Sequence, residues 1–254
     1  MDKLLSVQGV SLFFGGLCAL DGVSVDVQAG AISGLIGPNG AGKTSLLNCI
    51  SRLYRPQQGE IWFAGANLLL HPPHALIGLG LARTFQHTEL FGTMSVLDNV
   101  LVGLHGAGRP PTMAEALGLP SARRGAREQC GRALETLDIV GLGHAAHDPV
   151  ASLPLGLQKR AGLARALAGR PRLVLLDEPA AGLNSSEKLE FTALLRRLRA
   201  EIDLSIMLVE HDMDMVMTLC DHVTVLDFGR RIAEGPPAAI QQHPDVIAAY
   251  LGVD

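Results

Sequence analysis

The chain has 254 residues and a formal net charge of −4; hydrophobic types make up 48 %, charged types 18 % and aromatics 4 %. That is the composition of a compact, well-buried globular protein, of one large domain or two small ones. Arginines cluster at Arg123, Arg124 and Arg127, but no long basic run offers a counterion-releasing surface, so nucleic acid is not an expected partner. The four cysteines, Cys18, Cys49, Cys130 and Cys220, form no C-x-x-C pair and no metal-ligand spacing, which argues against a disulfide framework or a zinc site and fits a reducing cytosol. No stretch reaches the roughly 18 uncharged apolar residues of a spanning helix, and the start MDKLLSVQGV carries no long apolar signal core. The expectation is a chain neither secreted nor integral to a membrane.

In chain order, LSVQGVSLFF and VSVDV carry the alternation and β-branched enrichment of antiparallel strands. AISGLIGPNGAGKTSLLNCISRL follows as strand, glycine loop and helix, and RPQQGEIWFAG as a turn and short strand. LHPPHALIGLGLARTFQ mixes a proline break, a short helix and another strand. From Gly106 to about Gly131, glycine, proline, alanine and arginine dominate, and a loosely specified loop is expected before the amphipathic run CGRALETLDIVGL. LARALAG is a helix segment ended by Gly169 and Pro171, and RLVLLDEP a continuous apolar run of the kind parallel strands use when both faces are covered. SSEKLEFTALLRRLRAE reads as a polar-capped helix, SIMLVEHD as a second buried strand, and DMDMVMTLCDHVTVLDFGRRIAEG as a helix and strand hairpin. On that helix Met213, Met215 and Met217 are expected to pack rather than to hold a cofactor. Alternation of strand and helix predicts a doubly wound α/β sheet.

The segment Gly37, Pro38, Asn39, Gly40, Ala41, Gly42, Lys43, Thr44 matches G-x-x-x-x-G-K-[ST], followed by Ser45. Its flanking strand and helix separate it from a chance glycine-rich turn. In such a loop backbone N–H groups turn inward on phosphate oxygens and the helix N-terminus adds positive potential. Lys43 would then reach the terminal phosphates, and the Thr44 hydroxyl could ligate Mg²⁺. Far downstream, Asp177 and Glu178 end an apolar run, which places two carboxylates at a strand's carboxyl end, on the sheet edge that carries the phosphate loop. Asp177 could hold Mg²⁺ through water, leaving Glu178 to orient the attacking water. His211 ends the next buried strand, close enough to reach a γ-phosphate near Glu178.

With these motifs the sequence resembles the ATP-binding subunit of an ABC transporter over almost its entire length. GPNGAGKT is similar to that family's Walker A, VLLDEP to its Walker B with the catalytic glutamate, and Ala181, Gly182, Leu183, Asn184 to its D-loop, with asparagine where aspartate is commoner. The resemblance places His211 at the switch histidine, Gln86 at the Q-loop that reaches Mg²⁺ and senses the membrane subunit, and Phe14 at the aromatic that stacks on adenine; Phe13 beside it could fill either that role or a core position. The signature loop, commonly L-S-G-G-Q, falls on Leu153, Pro154, Leu155, Gly156, Leu157, followed by Gln158. There proline removes a hydroxyl and an N–H, and leucine approaches a phosphate less closely than glycine.

The resemblance implies a P-loop NTPase of the ABC ATPase type: an α/β chain with a doubly wound core, an antiparallel β subdomain and a helical subdomain. Residues 1–92 and 171–254 would form the first two parts and 93–170 the third, docking on membrane subunits. It implies ATP and Mg²⁺ as cofactors, ATP hydrolysis as the activity, and a peripheral place on the cytoplasmic face of the cell membrane. Stretches such as GLARTFQHTELFGTMSVLDNVLVG, DEPAAGLN and HPDVIAAYLG narrow the resemblance to the ATPases of importers for branched-chain amino acids or related small solutes, amides, urea and aromatic acids among them, with a second ATPase, two permease subunits and an external solute-binding protein as partners. The lipopolysaccharide exporter ATPase and a soluble ABC ATPase of DNA repair or translation are the competing expectations.

Overall fold

The computed structural model describes residues 3–84, 89–105 and 120–251. The two long initial strands, β1 (Lys3–Phe14) and β2 (Leu17–Gln28), pair antiparallel, and β4 (Gln58–Phe63) and β5 (Ala66–Asn67) extend them into a sheet of order β2-β1-β4-β5. The second sheet has the order β10-β9-β3-β8-β7-β6, built from β3 (Ile32–Ile36), β6 (Leu81–Arg83), β7 (Leu173–Asp177), β8 (Ser205–Val209), β9 (His222–Asp227) and β10 (Arg230–Gly235). All its pairings are parallel except the β9–β10 hairpin.

The continuous apolar runs are explained by what covers each face. On β7, Val174 and Leu176 join one core while Leu173 and Leu175 join another; on β8, Ile206 and Leu208 divide from Met207 and Val209 in the same way. Successive strand side chains point to opposite faces, so a strand covered on both sides needs no polar alternation. One core lies toward the antiparallel sheet and α1 (Lys43–Ile50), with Leu46, Leu47 and Ile50 in it. The other takes in α3 (Val96–His105), α4 (Pro120–Ile139), α5 (Leu155–Leu167), α6 (Ser185–Ile202), α7 (Met213–Leu219) and α8 (Pro237–Gln241), through residues such as Val100, Leu137, Leu163, Leu195, Val216 and Ile240. A one-turn helix, α2 (Leu76–Leu79), leads into β6, and α9 (Pro244–Leu251) closes the described chain.

The loop expected up to Gly131 is corrected in part. Residues 120–131 are helical, within α4. Pro120 takes the first helical position, where its missing N–H costs nothing, and the alanines, arginines and Glu128 outweigh Gly125 and Gly131 at about 1 kcal/mol each. The methionines pack as expected: Met215 is buried, and Met213 and Met217 lie against the same core. Arg127 is exposed on α4, whereas the side chains of Arg123 and Arg124 lie outside the described ones.

The order β3-β8-β7 sets the functional geometry. β8 separates the strand that feeds the glycine loop from the strand that ends in Asp177, and all three run parallel. Their carboxyl ends, carrying Gly37, Glu210 with His211, and Asp177 with Glu178, therefore share one edge of the sheet.

Candidate nucleotide site

The loop from Gly37 to Gly42 links β3 to α1, and two of its glycines are required by the backbone. Gly37 has φ 149° and a Cβ there would fall 2.0 Å from Leu226 O; Gly42, the residue before α1, has φ 100° and a Cβ there would meet Ala19 O at 2.8 Å. At these two positions the loop lies against β9 and β2 with no room for a side chain, and the start of α1 faces a cleft of about 340 Å³. Phe14, Cys18, Asn39, Lys43, Thr44, Ser45 and Glu178 are among the residues lining it.

Lys43 is buried and its ammonium donates to Gly37 O at 2.7 Å and Pro38 O at 2.8 Å. Burial pulls its pKa below the usual lysine value, and the Glu178 and Asp177 carboxylates act against that shift. The Asp177 side chain is buried at the end of β7 and accepts from Arg83 Nη2 at 2.9 Å. Glu178 follows with φ 46°, a left-handed conformation uncommon for a side-chain-bearing residue, while its N–H donates to Val209 O at 2.9 Å. The β8 backbone thereby holds a strained residue whose side chain is only partly buried at the cleft. Its Oε2 stands 3.9 Å from His211 Nδ1, and the His211 side chain is 61 % exposed.

Three residues that sequence reasoning missed organise this edge. Buried Glu210 accepts from Ala180 N at 2.8 Å and from His211 N at 3.1 Å, tying the turn after Glu178 to the segment carrying His211. Lys159, also buried, comes from α5 into the field of Glu210 and Glu178; burial lowers its pKa and the two carboxylates counter the shift. Arg83 is the third. Each is a charge beside an apolar run, at a strand end or on a helix flank, which is the only signal the sequence offered.

Phe14 is exposed at the end of β1, lines the cleft and meets the Tyr54 ring edge-on at a centroid distance of 5.2 Å. Phe13 is exposed too but is not among the residues lining the cleft. Tyr54 had no distinguishing sequence signal.

The segments likened to signature and D-loop pack on each other rather than around this cleft. Pro154 is the N-cap of α5 and its carbonyl accepts from Leu157 N and Gln158 N, each at 3.0 Å; the Gln158 amide returns to Leu153 O at 2.8 Å. The amides of Leu155 and Gly156 come before those bonded ones, in the first turn where a helix has no acceptor of its own. A Cβ on Gly156 would lie 2.9 Å from Glu187 Oε1, and one on Gly182 would lie 3.0 Å from Leu155 Cδ2. Asn184 caps α6 through a reciprocal pair with Glu187, with Ala181 and Leu183 in the turn leading to it. None of these residues lines the phosphate-loop cleft. Gln86 lies outside the described residues.

The arrangement suits a nucleoside triphosphate: a cradle that side chains at Gly37 and Gly42 would fill, a helix start, and the buried Lys43 ammonium at the loop. Thr44 and Asp177 supply hard oxygen donors of the kind Mg²⁺ takes.

Comparison with known proteins agrees. Residues 20–181 match the family described as "ABC transporter", and residues 230–254 the one described as "Branched-chain amino acid ATP-binding cassette transporter". The chain belongs to the ABC transporter family. It is 40 % identical over 249 residues to the high-affinity branched-chain amino acid transport ATP-binding protein BraF of Pseudomonas aeruginosa, covering 98 % of each. It superposes with a TM-score of 0.87 and 28 % identity on the ADP conformation of an ABC transporter's ATP-binding cassette, covering 99 % of this chain and 100 % of that one. A dimeric post-hydrolysis cassette bound to ADP and Pi matches with a TM-score of 0.76 and 25 % identity, over 92 % of this chain and 98 % of that one. The chain is thus an ATP-binding cassette whose ATP hydrolysis is coupled to transport. Among the described residues, no helix is long and apolar enough to cross a membrane.

Proposed function

We propose that this chain is the ATP-hydrolysing subunit of a branched-chain amino acid importer, working on the cytoplasmic face of the cell membrane. The observation that carries the reading is the phosphate loop and Glu178 lining one cleft. The match of residues 230–254 and the likeness to BraF support amino acid import over lipopolysaccharide export or a DNA-repair or translation role.

In this reading ATP lies with its adenine against Phe14, braced by Tyr54, and its phosphates on backbone N–H groups of the loop from Asn39 to Ser45. Lys43 exchanges the carbonyls of Gly37 and Pro38 for β- and γ-phosphate oxygens, a short movement of an ammonium already at the loop. Thr44, Asp177 (through water) and Gln86 would hold Mg²⁺, which neutralises charge developing on the transferred phosphoryl group. Glu178 orients and polarises the attacking water, and His211 contacts the γ-phosphate from the neighbouring strand end.

Residues 93–170 act as the helical subdomain and 1–92 with 171–254 as the rest. The signature and D-loop residues lie outside the cleft, so they serve the nucleotide of a second ATPase subunit facing this one. Pro154 and Leu157 make this chain's contribution to that partner's site the weaker of two, with the N-terminus of α5 and Gly156 as its remaining anion-binding elements. A groove of about 480 Å³, with Leu53, Leu76, Ile77, Phe91 and Val102 on its walls, lies between β6, α3 and α5 and receives a permease subunit. Two permease subunits and an external binding protein complete the machine.

The test is reconstitution of the chain with its partner ATPase, permeases and binding protein in vesicles. Leucine-loaded binding protein should stimulate ATP hydrolysis and drive leucine uptake. Stimulation by lipopolysaccharide, or by ribosomes or DNA in the absence of permeases, would replace this reading with one of its competitors.

A further inference from the structure

Arg83 is a buried cation at the nucleotide edge that neither the phosphate loop nor the hydrolytic pair requires. It is the last residue of β6, and its side chain is 8 % exposed. Nη1 donates to Asn48 Oδ1 and to Ser51 Oγ, both at 2.7 Å, while Nη2 donates to Asp177 Oδ2 at 2.9 Å. Ser51 Oγ spends its own proton on Leu47 O at 2.7 Å, which leaves lone pairs to receive the guanidinium. Asn48 lies in the last turn of α1 and Ser51 caps it; Lys43 and Thr44 occupy the first turn of the same helix. One rigid planar fork therefore joins the end of β6, the far end of the phosphate-loop helix and the carboxylate that ends β7. A lysine, with a single compact ammonium, could not span these partners in fixed geometry.

The consequence concerns the direction of the Asp177 carboxylate. With Oδ2 held by Arg83, rotation of the carboxylate is restrained, and the place of its other oxygen is biased relative to α1, and so relative to Thr44. Partners that orient metal-facing groups in this way typically govern metal affinity tenfold to a hundredfold without touching the ion. We propose that Arg83 is a positioning residue that fixes Asp177 against α1 so that the carboxylate and Thr44 present a preformed Mg²⁺ site. The proposal rests on the reading of Asp177 and Thr44 as the metal side of the nucleotide site.

The test is equilibrium binding of a fluorescent ATP analogue to the intact chain, once with excess Mg²⁺ and once with EDTA. The wild-type chain should bind more tightly with Mg²⁺; an equal affinity in both would remove the metal-site reading itself, and this proposal with it. Given that gain, Arg83→Gln should cut it about tenfold or more while leaving affinity in EDTA within about twofold. A gain within about twofold of wild type, or a loss equal with and without Mg²⁺, would show Arg83 to be a structural residue only. If Arg83→Gln does not fold, as judged by circular dichroism, the paired variant Asn48→Ala, Ser51→Ala keeps the ion pair but frees the guanidinium from α1. It should lower the Mg²⁺-dependent gain about threefold, by partial loss of the same orienting effect, and an unchanged gain would overturn the proposal.

Discussion

Glu178 Oε2 and His211 Nδ1 stand 3.9 Å apart, too far for a hydrogen bond, at the ends of neighbouring parallel strands. The gap is suited to groups that act on a third party between them. Glu178→Gln keeps the shape and removes the base, so it should leave ATP binding within about twofold while lowering turnover by about 10²–10⁴. His211→Ala should also retain binding and lose turnover. Phosphate release and nucleotide binding on the same preparations check both, and wild-type turnover in Glu178→Gln would remove the glutamate from the mechanism.

Lys43 carries a cost in the free protein that ligand binding turns to use. Burial lowers its pKa, so between that lowered value and 10.5 the unfolded chain binds more protons than the folded one, and stability rises with pH across that window. Lys43→Met should reduce this slope, seen as urea midpoints that rise less between neutral and alkaline pH than those of wild type, with Lys159 supplying a remaining part of the rise. The same variant should lose the stabilisation by ATP, about 2.7 kcal/mol at a hundredfold excess over Kd, with no fall in its ligand-free melting temperature. A retained ATP-induced shift would contradict the role given to the lysine.

The cysteines offer a probe that needs no mutation. Cys18 is exposed and lines the phosphate-loop cleft, whereas burial pushes Cys49 up to about 11 and Cys220 up to about 12. Thiolate is the reactive form, so Cys49 and Cys220 should resist alkylation while Cys18 reacts. Added ATP should slow the labelling of Cys18, read by peptide mass spectrometry, and leave that of half-buried Cys130 unchanged. Labelling of Cys18 indifferent to ATP would mean that nucleotide does not fill this cleft.

Most of the fold was legible because its determinants are local. The apolar runs of β7 and β8, the proline and glycine breaks, and the loop that needs glycine at Gly37 and Gly42 each impose their structure within a few residues. The helix over 120–131 was not legible, since Gly125 and Gly131 read as breakers, and only their balance against the alanines, arginines and Glu128 around them, continued into the buried half of α4, decides for helix. The same holds at the site. Lys43, Asp177 and Glu178 stand in spaced motifs, but Arg83 matters through Asn48, Ser51 and Asp177, which lie 35, 32 and 94 residues away. Glu210 likewise acts through Ala180, 30 residues off. No window of sequence contains such a partnership, and a charge next to an apolar strand is as compatible with a solvated end as with a buried clamp.

The start of α5 gives a last test, of inequality between two ATP sites. Pro154 offers neither hydroxyl nor N–H at the N-cap, and Glu187 Oε1 comes close to Gly156, adding negative charge where an incoming phosphate would dock. Pro154→Ser together with Leu157→Gln restores a hydroxyl, an amide donor and a side-chain amide at that turn. Charge-assisted hydrogen bonds of this kind contribute about 1.5–3 kcal/mol each, so nucleotide trapping in the assembled complex should rise about tenfold or more. Pro154→Ala returns the N–H without the hydroxyl and should give an intermediate value, which separates phosphate recognition from the helix stabilisation of about 1 kcal/mol that a serine cap brings by itself. Trapping and turnover unchanged in both variants would mean that the backbone of α5 already suffices and the two sites work alike.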